Sequence, residues 1–466
     1  MAKNEDEHPT GGFLRPFIIM TALAPIQLVV GSVLGQSAGM IPQLMQEDSV
    51  IKIDIDVATW IASMSTVGTF VAASSSGFFA DKFGRIRMVQ VAYFFLAVGY
   101  GIIGAANTFF LLIFGRFLIG FGVGCSFPAS VYISEIAPPA YRGLLLTTNP
   151  AIASLGLVYM YVLGGYYPWN IASLATGLMS ILGLIIAFFF YDSPVWLLRK
   201  NRVEDARKSL SRIEGPTNVD FKLKQLQEIV DSHPVSKFSP HVFIEPTVWK
   251  PYVITIILSV LQNTAGFYIV VSYTVNFMRE FHSTYDPLQI MVAIGLVRLV
   301  AICLSSAILR HVGRKTIGAF SGFAAAACLL PIYGCLVAPH AAVLRTYPWI
   351  PIALFLGYIF TMTLGIFALP WTMPYEMFPI KVRGFMCGVS FCSMYALIFV
   401  AVKLYNFLLE NLQLPGMILM FAVGSLLFGV FSATVLVETH KKTLDEIEEV
   451  FLGRRSKQVE KTLSDS

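Results

Sequence analysis

Along this chain the apolar positions neither alternate nor recur at helical spacing; they run on. Continuous hydrophobic stretches occupy 17–41, 57–80, 88–108, 110–133, 144–164, 167–190, 252–277, 287–309, 316–337, 348–373, 384–405 and 415–437. Each is about as long as the roughly 20 residues a helix needs to cross the hydrocarbon core of a bilayer. Transmembrane barrel strands would instead read as short alternating segments. The pattern predicts an all-α membrane protein of twelve transmembrane helices.

The polar intervals divide the chain. One long interval, Tyr191 to Lys250, separates six apolar runs from six. The expected organisation is an N-terminal segment (1–16), a six-helix bundle (17–190), a linker (191–250), a second six-helix bundle (251–437) and a tail (438–466). Within the linker, VEDARKSLSRIEG and FKLKQLQEIVDS space Leu and Ile helically against charges. They read as short amphipathic helices near the inner membrane surface; a flexible solvated linker is the alternative. VETHKKTLDEIEEVFLGRR predicts one more amphipathic helix, followed by a disordered Ser/Lys/Glu tail.

Composition agrees with the pattern: 56% of residues are hydrophobic and only 13% charged, against about a quarter charged in soluble domains. Charge placement gives orientation. Lys82, Arg85 and Arg87, then Arg310, Arg314 and Lys315, then Lys381 and Arg383 fall in short connections that should therefore be cytoplasmic. The connections at Ala106–Phe110 and Gly164–Pro168 carry no charge, and Glu47, Asp48, Asp54 and Asp56 make the first outer loop acidic. Both termini are expected inside. The polar start and long first apolar run do not read as a cleavable signal. The net charge of +5 is absorbed by these inner loops and gives no support for nucleic-acid binding. Six cysteines lie in or beside apolar runs without paired-ligand spacing, so they read as packing residues rather than metal ligands or disulfides. No Gly-rich nucleotide loop with its Lys is present, and no acid, nucleophile or metal cluster converges, so neither a cofactor nor an enzyme activity is expected.

Two charged signatures recur. SEIAPPAYRG (Ser134 to Gly143) shares its Glu, six residues, Arg-Gly frame with YEMFPIKVRG (Tyr375 to Gly384), and GFFADKFGRIR (Gly77 to Arg87) is echoed by LRHVGRK (Leu309 to Lys315). They occupy corresponding inner connections in the same order, which indicates duplicated halves with a solute path between them. Asp81, Arg85, Glu135 and Arg142 form one expected inner cluster, and Arg314, Glu376 and Arg383 its counterpart. Paired, these groups would clasp the halves on the inner side and release as the halves rock. Alternatively they only enforce orientation and cap helix ends.

GFFADKFGRIR, Arg116 in GRFLIGFGVG, YISEIAPPAYRG, DSPVWLL, LQNTAGFYIVVSY, Gly313-Arg-Lys, LPWTMPYEMFPIKVRG and VETHKKT together resemble the sugar porter family of the major facilitator superfamily, in particular its insect facilitated trehalose transporter branch. The resemblance implies the twelve-helix facilitator fold and a sugar substrate. It also implies a solute site, from which this chain departs. Where the family has a Gln-Gln pair and a following Asn in the seventh span, the chain has Gln262, Asn263 and Tyr268. The fifth-span Gln is replaced by Pro150, and the eighth-span Asn by Arg298. Trp371 is kept in the tenth span, and Tyr395 stands where glucose carriers have Trp in the eleventh.

Buried amides recognise hydroxyls by matched donors and acceptors, and an unpaired one costs about 1–3 kcal/mol. Losing several should alter what fits. Tyr268, Trp371 and Tyr395 still offer sugar faces a platform and a polar handle, or else serve helix packing. Arg298 falls about 18 Å from the inner loop at 1.5 Å per residue. A charge so deep is expensive unless it faces a cavity or partner. It either lines the path or bonds backbone carbonyls and seventh-span amides as structure. The first span has no acid for proton coupling, and none of the seven histidines lies mid-span. The expectation is a facilitative uniporter of a sugar such as trehalose or a hexose, at the plasma membrane, with the small polar solute and the bilayer as partners. A carrier of another polar or anionic metabolite and a non-transporting nutrient receptor are the alternatives.

Overall fold

A computed structural model describes residues 11–136, 139–214, 219–232, 243–280, 285–337, 347, 349–379 and 382–452, and every regular element among them is a helix. The first group comprises α1 (Gly11–Leu44), α2 (Ile55–Phe83), α3 (Arg85–Gly104), α4 (Phe109–Cys125), α5 (Pro128–Ile136), α6 (Pro139–Tyr166) and α7 (Trp169–Ala187). Three short helices follow: α8 (Pro194–Arg199), α9 (Val203–Glu214) and α10 (Val219–Ser232). The second group runs α11 (Pro246–Thr264), α12 (Phe267–Ser272), α13 (Thr274–Glu280), α14 (Pro287–Ile308), α15 (Arg314–Val337), α16 (Trp349–Met362), α17 (Ala368–Met377), α18 (Arg383–Lys403) and α19 (Tyr405–Thr434), with α20 (Leu444–Leu452) last.

Ten helical spans among the described residues are long and apolar enough to cross a membrane; α4 with α5 makes one, and α16 with α17 another. The apolar run at 144–164 lies within α6, whose side chains are described from Thr148 onward. The run at 252–277, expected as one helix, is instead broken into α11, α12 and α13. Gly266 explains the first break: its φ of +89° is left-handed, and a Cβ there would sit 2.6 Å from the Phe421 ring.

Close packing of small residues builds each group. A Cβ on Gly120 would fall 1.9 Å from the Ser65 carbonyl oxygen, so α2 and α4 touch backbone to backbone, the close approach that small residues permit. Across the groups, α2 packs along α18 and α6 along α14. Large apolar side chains such as Phe110, Leu178, Phe320 and Val430 remain exposed on outward faces, the reverse of a water-soluble surface.

The linker helices gather on one another through Trp196, Leu197, Leu198, Ala206, Leu210 and Leu223. They dock on the first group, where the Trp196 indole donates to the Asp81 carbonyl at 2.9 Å, while Ser209 Oγ ties α9 to the Asp192 carbonyl at the start of the linker at 2.7 Å. The predicted amphipathic tail helix is α20, which buries Ile447 and Phe451 while Lys250 Nζ donates to the Phe451 carbonyl at 2.7 Å. The tail beyond Leu452 lies outside the described residues. The end of the bundle carrying Arg85 and Arg314 is here termed the basic end.

Candidate functional site

Two interrupted helices meet in the second group. Between α16 and α17 the chain makes a π-helical turn, Thr363–Phe367, and Pro370 has no N–H to bond the carbonyl four residues back. The irregular turn lies just ahead of Pro370. Side chains take up the freed backbone groups. Gln262 Nε2 donates to the carbonyls of Ile366 (3.1 Å) and Phe367 (3.2 Å), and Ser305 Oγ to that of Leu364 (2.7 Å). Ser321 Oγ accepts from Ile366 N–H at 3.0 Å. Tyr358 donates its hydroxyl to the Ala265 carbonyl at the facing break. Irregular backbone survives at membrane depth only where it is satisfied in this way or lines a cavity.

Beside these breaks the candidate solute residues converge. Arg298 is 3% exposed, and its guanidinium carbon lies 4.9 Å from the ring centroids of both Phe267 and Phe367. Tyr268 meets the Phe267 ring edge-on at 4.8 Å. The Tyr268 hydroxyl and the Trp371 indole N–H neighbour each other outside hydrogen-bond geometry. Trp371 meets the Tyr395 ring edge-on at 5.7 Å and stacks on Phe391 at 5.4 Å. Phe127 of the first group lies 6.0 Å from Tyr395, so the cluster reaches the seam between the groups.

Several polar atoms here are buried with no partner: Gln262 Oε1, Tyr268 Oη, Trp371 Nε1, and Nε and Nη1 of Arg298. Such atoms are rare in a settled interior. No bond joins those Arg298 nitrogens to backbone carbonyls or seventh-span amides, the structural alternative read from the sequence. Asn263 is tied to its own helix, Nδ2 donating to the Ser259 carbonyl at 2.8 Å while Oδ1 is unpartnered. Phe267 and Phe367 escaped sequence reading because an aromatic in an apolar run looks like packing; only the buried Arg between them gives them another role.

Arg116 behaves differently. Fully buried, it donates from Nε to the Ile61 carbonyl (2.8 Å), from Nη1 to Gln36 Oε1 (2.9 Å), and from Nη2 to Ser37 Oγ (2.6 Å), the Ala62 carbonyl (3.1 Å) and Ser65 Oγ (3.1 Å). Each acceptor is neutral. It knits α4 to α1 and α2 rather than snorkelling outward.

At the basic end, Arg85 pairs with Asp81 (2.9 Å) and Glu135 (3.3 Å), while Arg314 holds Glu376 through Nε (3.1 Å) and Nη2 (2.8 Å). Both pairs lie within one group; neither bridges the seam. Arg383 does not join Glu376: its Nε donates to the Phe378 carbonyl at 3.3 Å, and its Nη2 is buried without a partner, as is Glu135 Oε2. The Arg142 side chain lies outside the described residues. Glu438 caps α15 by accepting from the N–H groups of Arg314 (2.9 Å) and Lys315 (3.1 Å). Burial works to raise its carboxyl, but these bonds, that of His440 N–H and the Arg314 charge together hold it below the usual range.

Bonds between the groups gather at the opposite end. Lys403 Nζ donates to Thr59 Oγ1 at 2.7 Å and sits 4.1 Å above the Trp60 ring. Asn406 Nδ2 donates to Asp56 Oδ1 at 2.7 Å, and Tyr161 Oη to the Val271 carbonyl at 3.0 Å.

The family described as "Sugar (and other) transporter" matches residues 28–451. The facilitated trehalose transporter Tret1 of Drosophila pseudoobscura pseudoobscura is 26% identical over 435 residues, covering 92% of this chain and 50% of that protein. Its namesake from Apis mellifera ligustica is 25% identical over 410 residues, covering 87% and 82%. The chain thus spans about half the length of the first of these relatives. A structure described as the inward open conformation of the xylose transporter XylE from E. coli superposes with a TM-score of 0.75 at 17% identity, covering 93% of this chain and 99% of that one.

Proposed function

The chain belongs to the sugar (and other) transporter family, and from that premise we propose that it is a facilitative carrier of a sugar such as trehalose or a hexose, working by alternating access. The observation that carries this reading is the set of buried, unpartnered polar atoms on Gln262, Tyr268, Arg298 and Trp371, gathered beside two helix breaks near the seam. Sugar hydroxyls would supply the missing partners, with Tyr395 as an aromatic wall and Asn263 at the margin. The related proteins described as trehalose transporters favour the same substrate class.

In this reading twelve spans cross the plasma membrane, in halves at 17–190 and 251–437, with both termini and the basic end in the cytoplasm. The bonds of Lys403, Asn406 and Tyr161 close the outer side, giving an inward-facing state. When the halves rock, Glu135 and Arg383 close the inner side, each using an atom left without a partner here; Asp81, Arg85, Arg142, Arg314 and Glu376 hold the inner ends of their own halves. Uniport rather than proton coupling is supported by Arg116, whose acceptors are all neutral, and by the fully buried residues, which include no Asp or Glu among those described.

The test is uptake of labelled trehalose and glucose into proteoliposomes, with and without a pH gradient. Saturable uptake indifferent to the gradient is expected. Gradient-driven accumulation would sink uniport, and no flux of either sugar from inserted protein would sink the sugar reading.

A further inference from the structure

Arg298 carries more positive charge than a neutral sugar needs. The residue is 3% exposed and its guanidinium is gripped by two aromatic faces at 4.9 Å, so it does not reach water along its stem. Among the described residues no carboxylate answers it. Glu376 is committed to Arg314, and Asp286 caps the start of α14, twelve residues and about 18 Å away at 1.5 Å per residue. Cation–π contacts offset only about 2 kcal/mol of such a burial, while two of its three nitrogens still have nothing to bond.

Resting on the transport reading, we infer that among sugars the preferred solute is one that carries a carboxylate, a sugar acid or similar hydroxylated acid, with Arg298 as its specificity-determining partner. The carboxylate takes the guanidinium by a forked bond and neutralises it. The rest of the molecule meets an acceptor at Gln262 Oε1, a donor at Trp371 Nε1 and a group that is both at Tyr268, the complement of hydroxyls rather than of an apolar chain. A single cation matches a single negative charge. A phosphate monoester, carrying about −1.5 to −2 near neutral pH, would leave excess charge in the site.

Charge accounting adds a second signature. The loaded site is neutral and the empty site cationic, so uptake of the acid moves net negative charge inward and responds to membrane voltage, whereas flux of a neutral solute does not.

The experiment compares labelled D-glucuronate, its neutral methyl ester and D-glucose in proteoliposomes, with and without an inside-negative potassium diffusion potential, for wild type, Arg298→Gln and Arg298→Lys. Wild type should prefer glucuronate over the ester by about tenfold or more, as loss of a charged hydrogen bond implies, and the potential should slow glucuronate alone. Arg298→Gln should lose that preference and handle acid and ester alike. Should Arg298→Gln fail to insert, Arg298→Lys must keep a weakened preference. Equal handling of acid and ester by wild type, or a preference unchanged in Arg298→Gln, would overturn the assignment. Failure of transport itself reads differently: if no solute is carried, yet glucuronate and not its ester raises the melting temperature of the purified protein, the carboxylate site stands and the carrier reading falls.

Discussion

The guanidinium of Arg314 and the carboxylate of Glu376 join at two points, 3.1 and 2.8 Å, whereas the corresponding pair in the first group, Arg85 and Glu135, joins at one, 3.3 Å. Thr439 Oγ1 also donates to Glu376, fastening the segment after α19 to the same clasp. The duplicated frame therefore yields unequal clasps.

A forked, partly buried charge pair loses more on truncation than a single long contact. Glu376→Gln should cost about 1–3 kcal/mol, as expected for a buried charged hydrogen bond. Glu135→Gln should cost less than about 1 kcal/mol. Thermal unfolding followed by intrinsic fluorescence in detergent reads both, and equal losses would contradict the asymmetry.

Lys403 reaches from α18 across the seam to Thr59 and Trp60. Removing the ammonium deletes a hydrogen bond and a cation–π contact at once, together worth about 1–2 kcal/mol. Lys403→Ala should shift the population toward opening at that end. In a background without the native cysteines, a Cys placed at buried Ile41 should then react several-fold faster with an impermeant thiol reagent added on that side. An unchanged rate would mean that the bond is not part of the closure.

Acid should loosen the other end. The Glu438 carboxyl is held below its ordinary value of 4.5 in the folded chain. A depressed folded value means that its stabilisation is fully present above about pH 4.5 and is lost as pH falls through the lower folded value. The segment joining α19 to α20 should become protease-sensitive below that point, and Glu438→Gln should show the sensitivity already at pH 7. Resistance of the variant at pH 7 would argue that the cap contributes little.

What the sequence made legible follows from the range of each interaction. Apolar runs and inner-loop charges are local signals, and they foretold the helical architecture and the Arg85–Glu135 and Arg314–Glu376 partners. The break at Gly266 was not read, because one Gly in an apolar run looks the same whether it is helical or left-handed; its φ is set by the Phe421 ring from another helix. Arg383 was expected beside Glu376 because it follows at the repeated spacing, yet Arg314 fills the carboxylate and leaves Arg383 to the Phe378 carbonyl. Depth singled out Arg298, but its setting between Phe267 and Phe367 needed the fold, since those rings are 100 positions apart in the chain.

Gln262 is the one family-type amide kept in the seventh span, and it has two tasks that one experiment can separate. Its Nε2 supplies the donor that Pro370 denies to the Ile366 carbonyl, while its Oε1 has no protein partner. If holding the broken helix were its whole role, Pro370→Ala, which restores a backbone N–H, would make Gln262 dispensable. Gln262→Ala alone should destabilise by about 1–3 kcal/mol, the cost of a buried carbonyl left bare. In the Pro370→Ala background that cost should fall below about 1 kcal/mol, giving a coupling energy of the size seen for residues sharing one network. Uptake should not recover with stability, because Oε1 is missing from both variants and α17 has lost its break. Recovery of uptake in Gln262→Ala/Pro370→Ala would show that the amide only mends the backbone and touches no solute.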